Sequence, residues 1–148
     1  MKKNVKANIG KIFLVLLVFI LFCSVVLGKD KIMYQVALNK AFHYSEKGEY
    51  ALEIAEYDKM IKLDPSIYEV YVNKAIAQAN LHEYNSSLKT FKKALNLNSE
   101  DPELYFNLAH LYAKMGDNKK SEEALQKGTE LDFQSEIIKK EEENNIGE

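Results

Sequence analysis

The sequence has no arginine and no tryptophan, and only one cysteine and two prolines in 148 residues. Without arginine there is no planar fork to grip phosphates or guanine edges, and the formal net charge is −2, so nucleic acid is not expected as a partner. A lone cysteine, Cys23, excludes an intrachain disulfide and a cysteine-built metal centre. There is no Gly-rich phosphate loop, no His-Glu-x-x-His pair and no acidic metal loop. His43, His82 and His110 do not cluster along the chain, and no serine stands in a nucleophile elbow. These absences predict a chain with no catalytic residue, no metal and no cofactor, that is, a protein that is not an enzyme.

What is present begins with an uneven spread of apolar residues. The segment MKKNVKANIGK is basic, and no charge follows from Ile12 to Gly28. A positive region ahead of an apolar run is the pattern of an export signal, here with a weak small-residue pair, Val26 and Gly28, before a possible cut. Left uncut, Ile12 to Leu27 makes a helix of about 24 Å, a little short of a hydrocarbon core, with Lys11 and Lys29 placed to reach the interfaces. Four lysines precede the run and two follow it, which keeps the N-terminus in the cytoplasm and sends the rest across. Residues 1–28 are therefore expected to be a signal peptide or signal anchor, with the folded part membrane-anchored or secreted on the extracytoplasmic side. No acidic residue precedes residue 28, so the remainder carries −6 and is mildly acidic. Cys23 follows Phe22 rather than the small residue that lipid attachment needs, and reads as filler in the run.

Beyond the run, the chain repeats itself. Setting Tyr34, Tyr68 and Pro102 as first positions aligns three copies of 34 residues without a gap. Ala41, Ala75 and Ala109 coincide, as do Asn39, Asn73 and Asn107, then Lys59, Lys93 and Lys127, then Leu63, Leu97 and Leu131. Each copy reads as two helices joined by a turn. Asp101 is a natural N-cap with Pro102 at the first helical position, and Ser66 and Glu69 have capping-box spacing. Gly48 and Gly116 stand where a left-handed residue ends the first helix. Apolar residues recur at three and four in the second helices, at Ile54, Tyr57 and Ile61 and at Leu88, Phe91 and Leu95. A single short helix pair cannot bury such a face, so the copies must stack.

The period and these residues resemble the tetratricopeptide repeat family. The resemblance rests on Tyr71 and Tyr105, Ala75 and Ala109, Tyr44 and Tyr112, the glycine turns, Tyr50 and Tyr84, Ser87 and Ser121, and Leu63-Asp64-Pro65, and it spans about residues 34–135. It implies an all-α right-handed superhelix of three helix-turn-helix repeats, 34–67, 68–101 and 102–135. Phe133, Ile137 and Ile138 are expected to take part in a short capping helix over the third copy, and residues 136–148 are expected to form that capping helix and an acidic tail. Departures fall mostly in the first two copies. His82 replaces a turn glycine, Gln78 a tyrosine, and Glu53 a small residue, while Lys40 and Lys74 stand where leucine is common. The first copy is therefore expected to pack less tightly than the third.

In proteins of this family the first helices line a concave face. The corresponding positions are Leu38, Asn39, Phe42 and Ser45, then Val72, Asn73, Ile76 and Asn80, then Phe106, Asn107, His110 and Lys114. The resemblance implies a partner-binding groove formed by Leu38, Asn39, Phe42, Val72, Asn73, Ile76, Phe106, Asn107 and His110. The apolar set offers contact area, and the asparagine ladder offers donors and acceptors to a peptide backbone. Two other readings stand beside it: the asparagines bond within the scaffold, or the apolar residues are covered by the N-terminal segment or a second copy. The carboxylate clamp of some relatives is not matched, since only Asn73 fits and Leu38, Phe42, Glu103 and Asn107 replace the other contacts. The expected function is binding another protein or peptide segment, with the membrane as a second partner through the N-terminal segment; the alternative is a self-associating structural component of an envelope complex.

Overall fold

The computed structural model describes residues 2–146, with side chains at 16–19 and 28–143. Among these residues the chain is helical with no strand: α1 (Lys2–Glu46), α2 (Tyr50–Leu63), α3 (Tyr68–Asn80), α4 (Tyr84–Leu97), α5 (Pro102–Lys114) and α6 (Asn118–Ile146). They form three hairpins, α1–α2, α3–α4 and α5–α6, with each second helix packed on the first helix of the next pair. The first helix of the first copy is not a separate element but the end of α1, which runs unbroken from Lys2. No helix among the described residues is long and apolar enough to cross a membrane. Most side chains of the apolar run lie outside those residues, and so does the reading of 1–28 as a signal or anchor.

One turn geometry closes all three hairpins. Gly48, His82 and Gly116 have φ of +70°, +62° and +79°. The next backbone N–H donates to a carbonyl five residues back, Glu49 to Tyr44, Glu83 to Gln78 and Asp117 to Tyr112, each at 2.9 Å. His82 adopts the left-handed region that a side chain ordinarily avoids, and its Nδ1 lies 2.8 Å from the Tyr84 hydroxyl. The pattern of the turn therefore survives the loss of its glycine.

The links between copies are built on an Asx turn. Asp64 Oδ1 accepts from the Ser66 N–H at 2.9 Å and from its hydroxyl at 2.6 Å, and Asn98 Oδ1 accepts from the Glu100 N–H at 3.0 Å. The Ser66–Glu69 capping box is not formed, because Ser66 is committed to Asp64 and Ile67 holds the N-cap place without a side-chain bond. Asp101 does cap α5, accepting from the Glu103 N–H at 3.0 Å, with Pro102 inside the first turn. The hydroxyls of Tyr71 and Tyr105 donate to the carbonyls of Pro65 and Ser99, each at 3.1 Å, and hold each link to the helix that follows.

The third copy has no such link after its Leu-Asp pair. Ser135 donates to the Asp132 carbonyl at 2.8 Å, and α6 continues through to Ile146. The C-terminal segment expected as a short capping helix is thus helical, but as the straight extension of α6. Phe133, Ile137 and Ile138 are exposed and do not fold over the third copy, because nothing in Phe133-Gln134-Ser135 breaks the helix as Pro65-Ser66 does.

Two apolar clusters make the core. One joins the second and third copies through Tyr71, Ala75, Phe91, Ala94, Leu104, Leu108 and Leu111; the other joins the first to the second through Ala37, Ala41, Tyr57, Met60, Val70 and Ala77. Ala41 and Ala75 are fully buried, and small residues there let paired helices approach closely. Ser87 Oγ donates across to the Ala75 carbonyl at 2.7 Å, and Ser121 Oγ to that of Ala109 at 2.9 Å. In the first copy the same position is Glu53, 5% exposed. Its Oε1 accepts from the Tyr57 hydroxyl at 3.0 Å, while its Oε2 has no partner among the described residues. Gln78, in a tyrosine position, is also buried, but its Oε1 accepts from Thr90 at 2.7 Å.

Burial pushes the Glu53 carboxyl above its ordinary pKa, partly opposed by the hydrogen bond from Tyr57 and by the nearby Ser45 hydroxyl, which lies outside hydrogen-bonding range. A carboxyl whose pKa rises on folding favours the folded state while protonated and loses that contribution as pH climbs through the raised value. Glu53→Gln stays neutral throughout. Its melting temperature is expected to exceed the wild type's by a margin that grows from the ordinary carboxylate range up through the raised pKa and then levels off. Asp64 and Asp117, whose hydrogen bonds lower their pKa, are present in both proteins and cancel. Parallel melting profiles from acid to neutral pH would overturn the assignment.

Candidate interaction groove

The hairpin stack sets α1, α3 and α5 side by side with the second helices behind them, and α3 touches α5 directly. Two recesses open on this first-helix side. One, of about 290 Å³, lies between the first and second copies and is lined by Leu38, Phe42 and Ser45 of α1, Glu53 and Tyr57 of α2, and Asn73 and Ile76 of α3. The other, of about 110 Å³, lies between the second and third copies and includes Ile76, Asn80, Phe91, Asn107, His110 and Lys114. Ile76 is common to both, so the recesses adjoin along one face.

Six of the nine residues assigned to a groove line these recesses: Leu38, Phe42, Asn73, Ile76, Asn107 and His110. Phe42 is 65% exposed and Leu38 38%, large values for apolar side chains on a folded face. The remaining three are placed differently. Val72 packs against the core of the second and third copies. Phe106 lies on Gly128 of α6, its ring 2.6 Å from where a Cβ would stand; the glycine gives the aromatic its seat. Asn39 is exposed outside both recesses and accepts from Gln35 Nε2 at 3.3 Å.

The asparagine ladder is unequal. Asn107 Nδ2 donates to the Glu103 carbonyl of its own helix at 2.9 Å. Asn39 is engaged by Gln35. Asn73 carries no such bond among the described residues and lines the larger recess. Glu53, Tyr57 and Phe91 line the recesses although the sequence placed no second-helix residue there. Glu53 and Tyr57 belong to a second helix, and the repeat alignment marks Glu53 only as a large residue in a serine column.

The recesses differ in charge. The first contains the Glu53 carboxylate and no cationic side chain; the second contains Lys114 and His110 and no carboxylate. Among the described residues no group of three or more His, Cys, Asp or Glu is placed to hold a metal ion.

Among the described residues, apolar side chains are exposed at each end of the stack. At the N-terminal end a hollow of about 350 Å³ is lined by Ile32, Met33 and Val36 with Lys40, Lys59 and Lys62 around them and Glu56 paired to Lys59. At the C-terminal end Leu125 and Phe133 lie exposed on α6 between Glu122 and Glu130.

Comparison with known proteins agrees with this geometry. A family model described as TPR repeat matches residues 80–116, and one described as tetratricopeptide repeat matches 102–135. The first copy, with Lys40 and Glu53 in place of the usual residues, lies outside both. No curated protein matches the chain. Solved structures of MamA share the fold. MamA MSR-1 is 24% identical with a TM-score of 0.63, over 69% of this chain and 59% of the MamA chain. MamA AMB-1 is 24% identical with a TM-score of 0.60, over 68% and 55%. A MamA RS-1 double mutant is 17% identical with a TM-score of 0.63, over 69% and 57%. The chain thus spans less than two thirds of these MamA chains, and the likeness is one of fold. The family matches over residues 80–135, the 34-residue period and the stacked hairpins together show a tetratricopeptide repeat fold.

Proposed function

We propose that the chain is a non-enzymatic interaction module that binds a segment of another protein along the face of α1, α3 and α5. The repeat fold is that of a protein-interaction scaffold, and the observation that carries the groove reading is the pair of adjoining recesses whose apolar walls include exposed Leu38 and Phe42. Asn73, free of a bond within the scaffold, offers a donor and an acceptor to a ligand backbone beside them. We also place the module outside the cytoplasm, anchored or released, on the strength of the lysine distribution around the apolar run.

A second reading is favoured by the exposed apolar side chains at the two ends. Val36 is 47% exposed, yet its counterparts one and two repeats on, Val70 and Leu104, are buried against the preceding copy. Leu125 is 51% exposed, yet Phe91 and Tyr57 at the same position are buried against the following copy. The two ends are therefore the two halves of a contact that the molecule already makes twice internally, and lysines at one end face glutamates at the other. Head-to-tail association would continue the stack.

Three measurements decide among these. The double variant Phe42→Asp/Asn73→Ala is expected to lower crosslinked partner recovery from native membranes by about tenfold, the equivalent of roughly 1.4 kcal/mol; unchanged recovery would sink the groove reading. Sedimentation of the full chain is expected to show mass increasing with concentration, weakened by salt and abolished by Val36→Glu, if the ends stack; a monomer at all concentrations removes that reading. The intact mass of the mature chain is expected to retain residues 1–28 if the segment is an anchor and to lack them if it is cut as a signal. A cytoplasmic chain would overturn the export reading.

A further inference from the structure

The larger recess has a feature that neither the scaffold nor a general groove requires. Its floor is a carboxylate, Glu53, more than nine-tenths buried, with one oxygen held by Tyr57 and the other without a partner among the described residues. A buried charge in that condition is costly, and a protein that needed only helix packing would not keep it. The other two copies show what packing needs: a serine that donates to the facing carbonyl, at Ser87 and Ser121. The neighbouring position departs in the same copy. Ser45 stands where the second and third copies have Ala79 and Ala113, and it lines the same recess. Glu53 and Ser45 thus stand on two sides of one hollow, where the other copies have serine and alanine.

The surroundings define what fits. Leu38, Phe42 and Ile76 form an apolar wall leading down to Glu53, and no lysine or histidine lines the hollow. Two first-helix lysines are engaged elsewhere: Lys74 pairs with Asp58, and Lys40 lines the N-terminal end hollow. An acidic side chain would be repelled, and a purely apolar one would leave Glu53 buried and unpaired. A long side chain with an apolar stem and a cationic head meets both conditions, its stem against the wall and its head on the free oxygen.

We propose that the recess between the first and second repeats is a specificity pocket for a lysine or arginine side chain presented by the partner segment, with Glu53 as its counter-ion and Leu38, Phe42 and Ile76 enclosing its stem. This rests on the groove reading above and gives it a direction. The basic residue sits at the first-repeat end, while Lys114 and His110 in the second recess suit an acidic or polar group further along the same ligand. A cation beside the carboxylate offsets the desolvation that raises the Glu53 pKa, so binding and ionisation of this carboxyl reinforce each other.

A random-peptide phage library selected on the full chain tests the pocket. The wild type is expected to enrich peptides with lysine or arginine at one position. Changing that residue to norleucine in a selected peptide is expected to weaken wild-type binding about tenfold and to leave binding to Glu53→Ser and Glu53→Gln unchanged, the coupling expected of a close charge pair. Circular dichroism melts establish that both variants are folded; Glu53→Ser recreates the serine of the other copies and Glu53→Gln keeps the size of the side chain. If peptides are recovered by the wild type and lost with Phe42→Asp, but show no basic preference, or the norleucine change weakens binding to the wild type and to the Glu53 variants by the same factor, the pocket proposal falls and the groove stands. If no peptide is recovered, or recovery is indifferent to Phe42→Asp, both fall.

Discussion

The structure depends on how closely the two helices of each hairpin approach. Alanine at 41, 75 and 109 removes the side chain that would hold them apart, and a serine hydroxyl at 87 and 121 then reaches the facing carbonyl. Close approach sets the hairpin, the hairpin sets which residues face the next copy, and stacking buries an apolar face that no copy can cover alone. The first copy keeps the alanine and alters its partner. Glu53 occupies the serine column, so the same close contact that stabilises the other hairpins here buries a carboxylate. The scaffold and the candidate pocket are two outcomes of one packing position.

Much of this architecture was legible in the sequence because it is written three times. A period of 34 residues located all three turns, and Asp101 with Pro102 correctly marked the start of α5. What remained hidden was decided by contacts between neighbours that a repeat alignment does not compare. Ser66 has the right spacing for a capping box but is drawn to Asp64, two residues back. Phe106 belongs to a groove column, yet Gly128 on α6 gives its ring a seat against the scaffold. Asn107 shares a column with Asn73 but spends its amide donor on its own helix. The end of the chain was misread for a different reason: apolar residues at 133, 137 and 138 suggest a cap, but folding back needs a break, and no residue there supplies one.

The candidate site was legible as a face and not as a chemistry. Leu38, Phe42, Asn73, Ile76, Asn107 and His110 follow from repeat position read through the family resemblance. Glu53 and Tyr57 come from the second helix, behind that face, and enter the hollow through the gap between two first helices. The signal was present as an outsized residue in a small-residue column. Its meaning required knowing that one of its oxygens is left without a partner. Departures from a repeat are therefore as informative as the repeat, since the array itself provides two controls for every position.

The first helix of the chain serves two segments at once. No turn separates the apolar N-terminal run from the opening helix of the first repeat; α1 carries both, from Lys2 to Glu46. Such a joint transmits rotation. Each residue inserted or removed between Gly28 and Tyr34 would turn the whole stack by about 100° around the α1 axis and shift it about 1.5 Å along it. Wherever the N-terminal part of α1 is held, the compass bearing of Phe42 and the pocket beside it is set by the count of residues in between, so that length, rather than sequence, is what this stretch must preserve.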